Sequence, residues 1–207
     1  MKSLLKCFWI FILGSFIGCI VEEIWCLIRN KCFQIRSSLI HLPLIPIYGF
    51  AVLLIILIAD NVGYNLWKVF VIGVIVAAIV EYFCSYIQEK VFKTKSWDYS
   101  NYRFNLNGRI NLLYSIGFGF ISMIVVKYIK MFSVFIESLT ENRIFISLSL
   151  FVIIFFVLDV ITSSIACLRY VKRKKGLTPN NKIDLYFDKY YPDNKIEKIY
   201  NNSVYVG

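Results

Sequence analysis

The stretch EYFCSYIQEKVFKTKSWDYSNYRFNLNGR, residues 81–109, lies between two long apolar runs and decides how the chain is read. It begins inside one run at Glu81 and leaves it through Glu89 and Lys90. It then crosses WDYS at 97–100 and re-enters apolar sequence through FNLNGRI at 104–110. Asp, Glu, Asn and Arg are set there among Trp, Tyr and Phe. Charged groups at the edge of hydrocarbon are costly and tend to mark a functional site.

Outward from this stretch, apolar runs cover 7–28, 39–59, 67–88, 110–129 and 145–168. Each is about 20 residues, enough to cross ~30 Å of hydrocarbon as a helix. None shows the alternation of a barrel strand. The predicted fold is all-α: a polytopic integral membrane helix bundle of about five transmembrane helices over residues 1–168, with a short polar C-terminal tail over 169–207. Composition agrees, with 207 residues, 58% of them hydrophobic, and a mean hydropathy of +0.66. A soluble domain is not this apolar. The first run continues into Glu22, Glu23 and Trp25 with no small-residue cleavage site, which predicts a retained span and not a signal peptide. Pro43 and Pro46 predict a broken first turn in the second span.

The net charge of +10 comes from basic residues spread between apolar runs, which argues against nucleic acid as a partner and for the lipid bilayer. Arg29, Lys31 and Arg36 follow the first run, and Lys90, Lys93, Lys95, Arg103 and Arg109 follow the third. Arg169 and Lys172 to Lys175 follow the fifth. The other side has only Lys2, Lys6, Lys68, Lys127, Lys130 and Arg143. Positive-inside then predicts a cell-membrane protein with its N-terminus outside and the 89–109 loop and tail in the cytoplasm. The tail, with GLTPNN at 176–181 as a loop signal, is expected to be solvated and partly ordered.

Four runs carry small or polar residues at i, i+4 spacing, which puts them on one helix face. These are Gly14, Gly18, Glu22 and Cys26; Gly73, Ala77, Glu81 and Ser85; Asn111, Ser115 and Gly119; and Asp159, Ser163 and Cys167. Small residues let helices approach closely, and polar ones bond across the contact. Glu22, Glu81 and Asp159 are expected about 9 to 14 Å below the cytoplasmic surface at 1.5 Å per residue. Arg109 sits at the mouth of the fourth span, where it is expected to pair with Glu81, Asp98 being its competitor. Asn105, Asn107 and Gly108 predict a tight turn, or an anion-binding mouth beside a helix N-terminus. The candidate polar pocket is therefore Glu22, Glu81, Asp98, Asn105, Asn107, Arg109 and Asp159. Trp97 reads as an interfacial anchor. Six cysteines without C-x-x-C spacing read as small buried hydrophobes, and one histidine, His41, does not make a zinc site. No metal or cofactor is expected.

The pattern E-Y-x-x-S-x-x-x-E-x-x-F over Glu81, Tyr82, Ser85, Glu89 and Phe92, followed by W-D-Y-S and F-N-L-N-G-R-I, resembles a bacterial membrane family labelled "Putative ABC-transporter type IV". Gly18 and Glu22 match that family's G-W-x-x-E, with Cys19 at the Trp position. Pro43, Pro46, Ile47, Tyr48 and Gly49 match its G-P-x-C-P-I-Y-G, with Leu42 and Ile45 at the Gly and Cys positions. The resemblance covers roughly residues 8–168 and implies a permease component. No G-x-x-x-x-G-K-[ST] occurs in the chain, so any ATPase is expected on a separate chain, docked on the 89–109 loop. Two other readings are weighed. One is a membrane-embedded enzyme acting on a lipid or amphiphile at the inner leaflet, with Glu81 or Asp159 as general base and Arg109 on an anionic headgroup. The other is an assembly partner without turnover.

Overall fold

The computed structural model describes residues 2–31 and 38–206, with the side chains of Lys2, Arg29 and Asn30 left aside. Cys32 and Arg36 lie outside the described residues. Five long helices run back and forth: α1 (Lys2–Asn30), α2 (Pro46–Val62), α3 (Leu66–Phe92), α4 (Leu112–Leu139) and α5 (Arg143–Lys174). Four of them, α1, α3, α4 and α5, are long and apolar enough to cross a membrane. The chain is a multi-pass, all-α membrane bundle.

Helix ends follow capping residues more than the ends of the apolar runs. Asn65, Asn111 and Asn142 each accept hydrogen bonds from the first backbone N–H groups of α3, α4 and α5, which otherwise have no partner inside the helix. Lys93 ends α3 in a left-handed conformation (φ 49°). The second span departs most from expectation. Its helix starts at Pro46, in the first-turn position where a missing N–H costs nothing, and has 17 residues. At 1.5 Å per residue it is about 25 Å long. Residues 38–45, expected in part as helix, are non-helical, and Ile45 N–H donates to the Ser15 carbonyl in the middle of α1 (3.1 Å).

Glycines set the helix crossings. A Cβ on Gly49 would lie 2.5 Å from the Phe11 carbonyl and against Ser15 Oγ, and one on Gly18 would enter the Tyr48 ring. A Cβ on Gly73 would meet Ser122, and Gly119 is closed in by Phe70 and Val74. The small-residue stripes of α1 and α3 therefore face α2 and α4. The core between them holds Ile10, Ile55, Ile56, Ala59, Val69, Val76, Val80, Val126 and Ile129. Gly49→Ala is expected to destabilise the protein by about 1–3 kcal/mol, because the obstructing atom is backbone and cannot rotate away. Thermal unfolding in detergent checks this, with Gly117→Ala, whose Cβ meets nothing within 4 Å, as the neutral control.

Helix α5 is held more lightly. Trp9 Nε1 donates to Ser149 Oγ (2.9 Å), and Phe8 and Phe11 pack edge-on against Phe156. The tail is more ordered than its composition suggested. It forms α6 (Lys182–Tyr190), α7 (Asp193–Ile199) and β4 (Val204–Tyr205), and β4 pairs antiparallel with β1 (Thr94–Lys95). Arg169 and Arg173, one turn apart on α5, hold it. Arg169 bonds both Asp188 oxygens (3.0 and 2.6 Å), and Arg173 bonds Asp188 and Asp193 (2.5 and 2.6 Å). The tail and the 93–111 segment thus close the same end of the bundle.

Candidate functional site

The segment from Ser96 to Asn111 folds into a small cap at that end. Strands β2 (Asn105–Leu106) and β3 (Ile110–Asn111) pair antiparallel. Asn107 and Gly108 between them both have positive φ (54° and 66°), and Arg109 N–H closes the turn on the Leu106 carbonyl (3.0 Å). Asn-Gly is the pair that tolerates this geometry. The WDYS stretch folds back onto the turn. Trp97 Nε1 donates to the Arg109 carbonyl (2.9 Å), and Tyr99 N–H donates to the Gly108 carbonyl (2.8 Å). Asp98 Oδ1 accepts from the Ser100 hydroxyl and from Ser100 N–H (2.5 and 2.8 Å). These Ser100 hydrogen bonds hold the exposed Asp98 carboxyl below its usual range. Asn105 Nδ2 donates to the Tyr102 carbonyl (2.7 Å), and its Oδ1 accepts from Gly108 N–H (2.9 Å). The Asn107 amide donates to Tyr82 OH (3.1 Å).

This cap delivers Tyr99 to the membrane acids. Its hydroxyl donates to Glu81 Oε1 (2.9 Å). Burial first, and then the Glu81 charge, push the Tyr99 hydroxyl well above the usual phenol range, so it remains a proton donor. Beside it, Tyr48 OH donates to Glu22 Oε1 (2.5 Å). Glu22 lies within coulombic range of both Glu81 and Tyr99. Tyr114 stacks on Tyr99 (centroids 5.1 Å), Trp25 meets Tyr114 edge-on (6.4 Å), and Phe118 does the same to Tyr48 (5.9 Å). Carboxylates from α1 and α3 thus converge under an aromatic cover built from α1, α2, α4 and the cap. Glu81 is only 8% exposed, and its Oε2 is buried with no hydrogen-bond partner among the described residues.

The other anticipated residues fall elsewhere. Arg109 does not pair with Glu81 or Asp98. It bonds Glu89 Oε2 (2.7 Å) and Ser85 Oγ (3.1 Å) and lies over the Tyr82 and Tyr86 rings. Glu89 is two turns nearer the helix end than Glu81, and the guanidinium takes the acid at its own level. Asp159 forms a second centre, 3% exposed. It accepts from the backbone N–H of His41 and Leu42 (3.1 and 2.8 Å) and meets His41 Nδ1 (2.8 Å). Ser163, one turn on, accepts from Ile40 N–H (3.0 Å). This centre supplies hydrogen-bond partners to the non-helical entry into α2, as backbone at membrane depth requires. Tyr48, Tyr99 and Tyr114 were not among the sequence candidates. The signal for the first two lay inside the P-I-Y-G and W-D-Y-S stretches already singled out.

Two cavities, of about 270 and 410 Å³, lie outside the Glu22–Glu81 cluster. The first lies between α1 and α5 beside Leu42 to Leu44, and the second between α3 and α4 near Tyr64, Lys127 and Lys130. Among the described residues no group of three or more His, Cys, Asp or Glu is disposed to hold a metal ion. A family model described as "Putative ABC-transporter type IV" matches residues 9–164. No curated protein and no solved structure matches the chain.

Proposed function

This chain belongs to the "Putative ABC-transporter type IV" family, and on that premise we propose that it is the membrane-spanning component of a transport system. Its five helices cross the cell membrane with the N-terminus outside, and the 93–111 cap and the 169–207 tail lie in the cytoplasm. The asymmetry of basic residues supports that orientation. The polar site is the Glu22–Glu81 pair under Tyr48, Tyr99 and Tyr114, opening toward the cytoplasm when the cap lifts. The observation that carries this reading is the convergence of two carboxylates from different helices on a covered place inside the bundle. Intramembrane acids so placed mark substrate or ion pathways.

The energy source is a separate ATPase chain, because this sequence has no phosphate-binding loop. It docks on the 89–109 region, where Tyr102, Phe104 and Leu106 are exposed. Asp98, Asn105, Asn107 and Arg109 build that surface. The reading as a lipid-acting enzyme has less support, since Asp159 is engaged with backbone N–H groups and Arg109 with Glu89. A photocrosslinking residue at Phe104, activated in native membranes, tests the proposal. The expected product joins this chain to a protein carrying a phosphate-binding loop. Crosslinks to lipid alone, with lipid turnover by the purified chain, would contradict it.

A further inference from the structure

Glu81 presents a carboxylate whose two oxygens differ. Oε1 accepts the Tyr99 hydroxyl, whereas Oε2 is buried and bonds nothing among the described residues. A buried acceptor without a donor is costly, and more so when it is charged. A second carboxylate, Glu22, is within coulombic range, so the place is doubly favourable to positive charge. The arginine expected to neutralise it is held one to two turns away by Ser85 and Glu89. Tyr99 and Tyr114 add ring surfaces, and Trp25 adjoins them.

We propose that the Glu81–Glu22 site binds the ammonium group of an organic cation, with Glu81 Oε2 accepting an N–H or facing the charge. This assignment rests on the transport reading above and names the chemical class of its cargo. An ammonium group suits the site better than a metal ion does. Hard cations take six or more oxygen ligands, and no group of three or more His, Cys, Asp or Glu is disposed to hold one among the described residues. Tyrosine and tryptophan rings favour a weakly hydrated organic cation through their quadrupoles. Tyr99 and Tyr114 cover the acids in this structure, so entry requires the cap to lift. The bound group then lies under the rings with Oε2 satisfied.

The experiment uses the full chain in detergent, titrated with methylammonium and tetramethylammonium chloride and read by calorimetry and Trp fluorescence. Sodium and potassium chloride at matched ionic strength are the comparison. The expected result is saturable binding of an alkylammonium probe, weakened at least tenfold by Glu81→Gln and retained in part by Glu81→Asp. Thermal unfolding of each variant shows whether it is folded. A folded Glu81→Gln variant that binds like the wild type, equal binding of sodium or potassium, or no saturable binding by the wild type would each overturn the assignment. Repeating the titration in nanodiscs of phosphatidylethanolamine and of phosphatidylglycerol identifies the source. Competition by the ethanolamine lipid alone points to a headgroup, and binding unaffected by lipid points to a soluble amine; both support the ammonium assignment. An ATPase crosslinked at Phe104 without ammonium binding would leave the transport reading standing and remove this one. Ammonium binding without an ATPase would do the reverse.

Discussion

Asp159→Ala is expected to lower the stability of the protein in detergent by about 3–5 kcal/mol. The carboxylate is the hydrogen-bond acceptor for the backbone N–H groups of both His41 and Leu42, and each buried donor left without a partner costs about 1–3 kcal/mol. Asp159→Asn keeps one acceptor oxygen and should lie between the alanine variant and the wild type. His41→Ala should cost much less, about 1 kcal/mol, because it removes one hydrogen bond of a half-exposed ring (48%) and leaves both backbone N–H groups paired with Asp159. Unfolding by denaturant in mixed micelles gives all three values. Equal losses at 41 and 159 would mean that the His41 ring, and not the backbone, is what Asp159 serves.

Arg169→Gln is the second large effect. The guanidinium is 2% exposed and faces Asp184 and Asp188. Removing it takes the guanidinium from the buried Asp184 and leaves the partly buried Asp188 with Arg173 alone, at a cost of roughly 3–5 kcal/mol. The loss is local: α6 and α7 should leave α5 while the bundle stays folded, so limited trypsin digestion should cut after Lys182 and Lys189 sooner than in the wild type. The same contact depends on pH. Hydrogen bonding from Arg169, helped by Arg173, holds the Asp188 carboxyl below its usual range. A depressed folded value stabilises the docked tail at any pH above the unfolded value of ~3.9 and loses that contribution as pH falls through the folded value. Tail protection is therefore expected to be flat from neutral pH to about 4 and to fall below it.

Much of the architecture is legible in the residues. Apolar length and the polar stripes identify the helices and the faces they turn to one another, because Gly18, Gly73 and Gly119 act through size alone. Helix ends were harder to read: hydropathy follows hydrocarbon thickness, whereas the helix continues to its cap, as at Asn65 and Asn111. The entry to α2 read as apolar although its backbone is non-helical, and Asp159, the residue that makes this tolerable, lies 118 positions from His41. Glu22 and Glu81 were placed together by depth. Arg109 was not, because depth along two helices does not say which acid a long side chain will choose. The order of the tail was signalled by Asp184, Asp188 and Asp193 in a spacing that answers Arg169 and Arg173, a pattern that composition averages away.

The proposed transport site is an acid pair that opens toward the cytoplasm beneath the 93–111 cap. The most direct test labels Asn101→Cys, an exposed position on that cap, with a membrane-impermeant maleimide in a chain whose native cysteines are replaced. Labelling is expected in inverted membrane vesicles and not in intact cells. Labelling of intact cells from outside would contradict it, reversing the orientation and turning the acid site to the opposite face of the membrane.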